Sequence, residues 1–339
     1  MSKKNSSVNL KNGFKNYKDL SDIFLNFKKK LNNQKKNKYV VAVSGGPDSL
    51  ALVALTKAYN FFRKTSFYYV LIDHNIRKNS NHEAHKVKKL LKKENINLKI
   101  FLNKKKIIKN IQSEARVARY DILSSYCKKN RVKVLLTAHN LEDQVETFFI
   151  RLSRGSGLRG LAAMKPLSKL NNQVSLFRPL LDTKKKFLIK ISKNIFGKYF
   201  KDPSNKNTKY LRTKIRNLKK PLEKSGIEYE QIIKSINNLA LSKATLDEYL
   251  KNIFKDIIKK TGKEISLNFQ KFKKYNREIQ IALINESIKR LKNNYYNLRS
   301  KKVKNLIKDI QKRNFNRSTL GGCIFILKKD NLCLKIEKT

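Results

Sequence analysis

The chain has 339 residues, room for two ordinary domains at roughly 100 to 200 residues each. Hydrophobic residues make up 40% of it, and no run of about 18 apolar residues occurs, which excludes a membrane-spanning helix. Lys and Arg number 79 against 25 Asp and Glu, a formal charge of +54. Such an excess makes a polyanion the natural partner through phosphate contact and counterion release, while abundant Asn and Ile and the lack of Trp equally mark a compositionally biased genome. The three cysteines, Cys127, Cys323 and Cys333, include no Cys-x-x-Cys pair, which leaves neither a zinc knuckle nor a disulfide framework.

Residues 1–38 are rich in Lys, Asn and Ser, and read as a basic segment with a short helix. No apolar stretch followed by a small-residue cleavage site occurs there, so a secretory signal is not expected and a cytoplasmic location is. Tyr39–Val43 is a short β-branched run that stops at a Gly-Gly pair, and helix-compatible Leu50–Phe62 follows. Phe67–Ile72, Leu98–Leu102 and Val132–Thr137 read as buried strands, with helices near His82–Glu94, Ser113–Lys129 and Leu141–Leu152 between and after them. This alternation implies an α/β, Rossmann-like parallel sheet with helices on both faces, whose ligands sit at the carboxyl ends of the strands. A Gly-rich loop, Arg154–Gly160, precedes a last apolar segment, Val174–Leu181, and the first domain is expected over 39–219. Beyond Pro221, Leu246, Leu250, Ile253, Phe254, Ile257 and Ile258 fall on one helical face, so 220–339 reads as a second, mostly helical domain. It ends in a small hairpin, Cys323–Leu327 and Leu332–Ile336, about a Lys-Lys-Asp-Asn turn.

The strongest chemical signal is Ser44-Gly45-Gly46-Pro47-Asp48-Ser49, between the first strand and the first helix of the sheet domain. Two glycines let backbone approach an anion closely, and the N–H groups at a helix start offer donors and a favourable dipole to phosphate. The hydroxyls of Ser44 and Ser49 would add donors. Gly-x-x-x-x-Gly-Lys-Ser/Thr occurs nowhere, so the γ-phosphate-transferring P-loop is not indicated. If Leu141 onward is helical, His139, Asp143 and Glu146 line one face near its start, where they would hold Mg²⁺ or an amine; taken alone, these acids equally complement a helix dipole. Asp73 and His74 end the second strand, where adenine and ribose would lie in such a sheet. Arg116 with Arg119, and Arg212 with Arg216, are spaced to put paired guanidinium forks on one helical side, suited to phosphate or carboxylate.

Ser-Gly-Gly-x-Asp-Ser resembles the signature of the PP-loop, or N-type ATP pyrophosphatase, superfamily, with its adenine nucleotide alpha-hydrolase-like fold. Several further segments are similar to the tRNA(Ile)-lysidine synthetase family within it. They are Asp73–Arg77, Ala115–Tyr120, Thr137–Thr147, Arg151–Gly157, Arg178–Leu181, and Asp202–Asn205 with Tyr210, Arg212 and Arg216. The resemblance implies an enzyme that binds ATP over Ser44, Gly45, Gly46, Pro47, Asp48 and Ser49, with Asp73 and His74 on the nucleoside. Asp48 and Asp143 would hold Mg²⁺. Asp48, His139, Asp143 and Glu146 would be catalytic, and Arg116, Arg119, Arg178, Arg212 and Arg216 would contact substrate or tRNA. The partners implied are a tRNA(Ile) with a CAU anticodon and free lysine, joined through an adenylated cytidine. Two rivals remain open at this level. One is a PP-loop tRNA thiolase, disfavoured because Cys127 stands alone in the nucleotide domain; the other is a non-catalytic RNA-binding protein with a nucleotide fold.

Overall fold

The structure is a computed structural model that describes residues 18–76, 79–105, 107–108, 110–162, 164–201, 207–292, 298, 300–312 and 314–337. The first part of the basic N-terminal segment, Arg77 and the Asp202–Asn205 stretch thus lie outside the described residues. The chain divides into two compact units, residues 1–239 and 240–339.

The first unit opens with helix α1 (Lys18–Asn33), followed by β1 (Lys38–Val43), α2 (Pro47–Tyr59), β2 (Ser66–Asp73), α3 (Ser80–Lys93), β3 (Leu98–Leu102), α4 (Ile111–Lys129) and β4 (Val134–Leu136). Then come α5 (Leu141–Leu152), the single turn α6 (Leu158–Leu161), β5 (Leu167–Lys169), β6 (Ser175–Phe177), α7 (Lys185–Phe196), α8 (Leu211–Asn217) and α9 (Lys219–Lys224). The six strands run in the order β3-β2-β1-β4-β6-β5, parallel except for β5, which closes the edge antiparallel to β6. That edge strand was not expected from the sequence. It is three residues long, carries no alternating apolar pattern, and pairs only across the tight return to β6.

The period-2 pleat sorts the strand residues between two helical layers. Tyr39, Val41 and Val43 of β1, with Leu71 and Leu136, face one layer built from Leu20, Phe24, Phe27 and Leu31 of α1, α2, Val87 and Leu91 of α3, and Leu188 and Ile191 of α7. Val40, Val70 and Leu135 face the other, where Leu123, Tyr126 and Cys127 of α4 cover them. Helix α2 is buried all round, so it lacks the polar stripe of a surface helix. The chain steps from β1 outward to β2 and β3, then crosses back to place β4 on the other side of β1. The loops after β1 and β4 therefore diverge at a switch point, the place where open α/β sheets leave a crevice for a ligand.

Helix α10 (Tyr229–Ile257) contains the division between the units. Its start belongs with the first unit because Tyr229, Ile232 and Ile236 pack on Leu141 and Val145 of α5. For that reason the division falls beyond residue 219, where Pro221 and a change of composition point to it in the sequence. The second unit holds β7 (Ile258–Thr261), β8 (Glu264–Asn268), α11 (Phe269–Lys274), α12 (Arg277–Leu291), α13 (Ser300–Ile310), β9 (Arg317–Leu320), β10 (Cys323–Lys328) and β11 (Asn331–Ile336). Its strands form an antiparallel sheet in the order β7-β8-β11-β10-β9, so β10 and β11 are joined by three more strands. Ile258, which continues the helical face in the sequence, instead starts β7. Gly262, at φ 57°, opens a two-residue turn that folds β7 back onto β8 and draws the chain out of the helix. No helix among the described residues is long and apolar enough to cross a membrane.

The two-layer packing makes α2 a stability element. Leu55→Ala, at a position with no exposure, is expected to cost about 2–5 kcal/mol in urea unfolding. Leu25→Ala, at a 55% exposed position of α1, should cost less than about 0.5 kcal/mol; equal losses would mean that α2 is not packed as described.

Candidate active site

The turn after β1 is held closed by its own side chains. Ser49 Oγ accepts from Ser44 N at 3.1 Å and from Ser44 Oγ at 3.2 Å, and donates to Gly46 O at 3.0 Å. The hydroxyls expected as phosphate donors are thus engaged within the turn, and the N–H groups of the first helical turn, which lack intrahelical acceptors, are the donors that remain. Gly46 caps α2 in an extended conformation with Pro47 at the first helical position. Gly45 cannot be replaced without strain: its φ is +79°, and a Cβ there would lie 2.4 Å from Val87 Cγ2. Its carbonyl accepts from Phe200 N at 3.0 Å.

Asp48 follows, with Oδ1 buried and without a hydrogen-bond partner and Oδ2 3.8 Å from Lys185 Nζ. Burial pushes its carboxyl up to about 6; Lys185 opposes the rise, and Asp143 and Glu142 add to it. These neighbours show that the ends of β1 and β4 meet as the topology requires.

After β4, Thr137 Oγ1 lies 2.9 Å from His139 Nδ1. His139 sits before the first turn of α5 and so is not on the helical face anticipated for it, because Asn140 starts the helix. Asn140 Oδ1 accepts from Asp143 N at 3.0 Å, and Asp143 Oδ2 accepts from Asn140 N at 3.1 Å, a reciprocal capping box. Burial, aided by Arg116, Arg178, Arg212 and Arg119, holds His139 well below the usual imidazole range. It is neutral at pH 7.

Asp143 and Glu146, three apart on α5, are brought together with both arginines of α8. Arg212 Nε donates to Glu146 Oε2 at 2.6 Å and its Nη2 to Asp143 Oδ1 at 3.3 Å. Arg216 Nε donates to Glu146 Oε1 at 2.5 Å. Arg119 reaches His74 at the end of β2, and Arg116 stacks over the Tyr120 ring at 5.0 Å. Arg178 lies close enough to act on His139, but its Nη1 is engaged elsewhere. It is buried and donates through Nη1 to Lys165 O at 2.8 Å and to Ser168 Oγ at 3.0 Å, tying β6 to the edge strand.

A family model described as the PP-loop domain matches residues 20–222. The tRNA(Ile)-lysidine synthase of Wolbachia pipientis wMel is 35% identical over 292 residues, covering 85% of this chain and 68% of that protein. The chain belongs to the tRNA(Ile)-lysidine synthase family of PP-loop proteins.

A further tRNA(Ile)-lysidine synthase, from Orientia tsutsugamushi, is 41% identical over 188 residues, covering 55% of this chain and 42% of that protein. Among solved structures, the U34-tRNA thiolase NcsA from Methanococcus maripaludis superposes with a TM-score of 0.56 at 21% identity, covering 65% of this chain and 78% of that chain. That likeness is one of fold.

In this lysidine synthase family member, Lys185 and Glu142 border the candidate site, and the sequence reading gave neither a place in it. Glu142 Oε2 accepts from the backbone N of Lys185 at 2.9 Å, which seats the start of α7 beside Asp48. Lys185 is one lysine in a run of three within a very basic chain, so nothing in the sequence singles it out. The capping box was not read from the sequence, although Asn140 three residues before Asp143 at the head of a helix is a signal that could have found it. Among the described residues no group of three or more His, Cys, Asp or Glu could hold a metal. Mg²⁺, however, is commonly bound by one or two carboxylates together with substrate phosphates. Asp48, with one buried oxygen lacking a partner, fits that role, whereas both oxygens of Asp143 are engaged.

The raised Asp48 carboxyl sets a pH dependence. Its folded value, about 6 against an ordinary 3.8, means that folding must hold a disfavoured charge above pH 6, a penalty that fades as pH falls and the folded group protonates. Asp48→Asn is therefore expected to raise the melting temperature near pH 7, with the gain shrinking toward pH 4. Thermal melts across that range check it; a gain independent of pH would contradict burial as the cause.

Proposed function

We propose that the chain ligates lysine to C2 of the wobble cytidine in a tRNA(Ile) bearing a CAU anticodon, consuming ATP and releasing AMP and pyrophosphate. The observation that carries this reading is Asp48: an acid with a buried, unpartnered oxygen at the first turn of α2, directly after the glycine turn and facing Asp143 and Glu142 across the switch point. ATP would lie with its phosphates over residues 44–49 and its nucleoside toward Asp73 and His74. Asp48 would hold Mg²⁺, which supplies charge neutralisation on the phosphates when bound.

In the first half-reaction the C2 oxygen of the cytidine attacks the α-phosphate, and pyrophosphate leaves. In the second, the ε-amine of lysine attacks C2, and AMP departs with the former base oxygen. The base then pairs with A instead of G, so the codon read changes from AUG to AUA. The amine must shed a proton before it attacks, and a carboxylate beside it serves to orient or deprotonate it. Asp143 suits this better than Glu146. Its Oδ1 is held only by Arg212, at 3.3 Å, while Glu146 is gripped at 2.6 and 2.5 Å by two guanidinium groups and anchors them. His139, neutral among its arginines, would donate or accept a hydrogen bond without adding charge.

Sulfur delivery of the thiolase kind finds less support in the donor set. Cys127 is fully buried under the sheet, and burial pushes its thiol up to about 12. Cys323 and Cys333 belong to the second unit.

The test is incubation with ATP, Mg²⁺, labelled lysine and tRNA(Ile) or methionine tRNA. Label is expected in the isoleucine tRNA alone, and absence of label from both would remove the reading. Asp48→Ala should lower tRNA-dependent pyrophosphate release by about 10²-fold or more. Asp143→Asn should spare most pyrophosphate release while blocking lysine incorporation; equal loss of both would take Asp143 away from the amine.

A further inference from the structure

Arg119, on α4, directs two donors at one atom: its Nε lies 3.2 Å and its Nη2 3.1 Å from His74 Nε2. A guanidinium has no acceptor, so Nε2 must present its lone pair, and a neutral imidazole then carries its proton on Nδ1. Neutrality is secured by burial and by Arg119 itself, which lower the His74 pKa to about 4 against the opposing pull of Asp73. His74 Nδ1 is buried with no hydrogen-bond partner, and so is Oδ2 of the adjacent Asp73. The other Asp73 oxygen is committed, accepting from Asn75 N at 2.9 Å where the chain turns through a left-handed residue. The end of β2, the strand beside the one that feeds the glycine turn, therefore carries one N–H donor and one carboxyl acceptor on consecutive residues, both without a partner.

We propose that Arg119 is a positioning residue that fixes His74 as its Nδ1–H tautomer, so that His74 and Asp73 together select adenine over guanine. Adenine presents a ring acceptor, N1, next to a donor, the N6 amino group, and this is the complement of an imidazole N–H beside a carboxyl oxygen. Guanine reverses the order, with N1–H beside O6, so both contacts would set donor against donor and acceptor against acceptor. A site built on such buried groups rejects the wrong partner strongly, because its own polar atoms are left unpaired. Without Arg119 the imidazole would be free to carry its proton on Nε2, and Nδ1 would then offer a lone pair to the N1 lone pair of adenine. The proposal rests on the reading that ATP binds over residues 44–49.

The experiment compares wild type, Arg119→Lys and Arg119→Met as full chains. Nitrogen-15 histidine spectra near pH 7, with the His74 signal identified through His74→Asn, read the tautomer directly; competition between ATP and GTP for binding reads selection. Wild type is expected to show protonated Nδ1 and a clear ATP preference. Arg119→Met should show mixed tautomers and lose about tenfold or more of that preference, and Arg119→Lys should fall between. Wild type that binds ATP with the proton on Nε2, or an Arg119→Met chain that keeps its preference, overturns this proposal alone. Wild type that binds neither nucleotide sinks the ATP reading and this one with it, and the two failures are thereby distinguished.

Discussion

An ionised carboxylate that is only 4% exposed needs compensating charge at close range, since removing it from water costs several kcal/mol. Glu146 is in that position, and its compensation comes from Arg212 and Arg216, 66 and 70 residues further along the chain. The consequence is mechanical as well as electrostatic. The two guanidinium groups lie one turn apart on α8, so satisfying Glu146 seats that helix against α5 and carries Arg212 to Asp143. The capping box then fixes the direction in which Asp143 can point, because one of its oxygens is occupied by the Asn140 backbone. The seating of a distant helix and the ion pair on Asp143 are in this way tied to a single buried charge.

What was legible in the sequence follows from how local each cause is. The β1 turn and the start of α2 could be read because a positive φ at Gly45 and a proline at the first helical position are written in adjacent residues. The parallel sheet and its covering helices followed from apolar runs alternating with helical periodicity, and the paired arginines of α8 from their spacing alone. Three things were not local. Arg178 lies among residues that suggest ligand contact, yet its Nη1 donates to Lys165 O and Ser168 Oγ, partners set by the edge strand that its own segment pairs with. Ile258 continues a helical stripe until a glycine four residues later turns the chain into a hairpin. His74 and Arg119 meet across 45 residues, which no spacing rule anticipates.

Charge scarcity sharpens the assignment of the site. In a chain with 79 basic and 25 acidic side chains, a carboxylate placed without purpose would be expected on the surface, where it relieves self-repulsion at the least desolvation cost. Asp48, Asp73 and Glu146 do the opposite: each is largely withdrawn from water, and two of them keep an oxygen without a partner. An unpaired buried oxygen is a standing cost of about 1–3 kcal/mol, which packing elsewhere in the sheet layers must offset. Such costs tend to persist where the group has work to do on a ligand.

The cations of the same region follow a complementary logic. Burial first, and then Arg116, Arg178, Arg212 and Arg119, bear on His139, and the result is an imidazole that stays neutral. Four positive charges near one ring would repel a fifth, so the positive field is kept for an anion arriving from outside while the ring itself remains a dipole. At Asp48 burial again leads, here raising the proton affinity, with Lys185 restraining the rise and Asp143 and Glu142 adding to it. Carboxylates thus stand on both sides of the switch point, Asp48 after β1 and Glu142 and Asp143 after β4, and their mutual repulsion is relieved by Lys185 on one side and by Arg212 on the other.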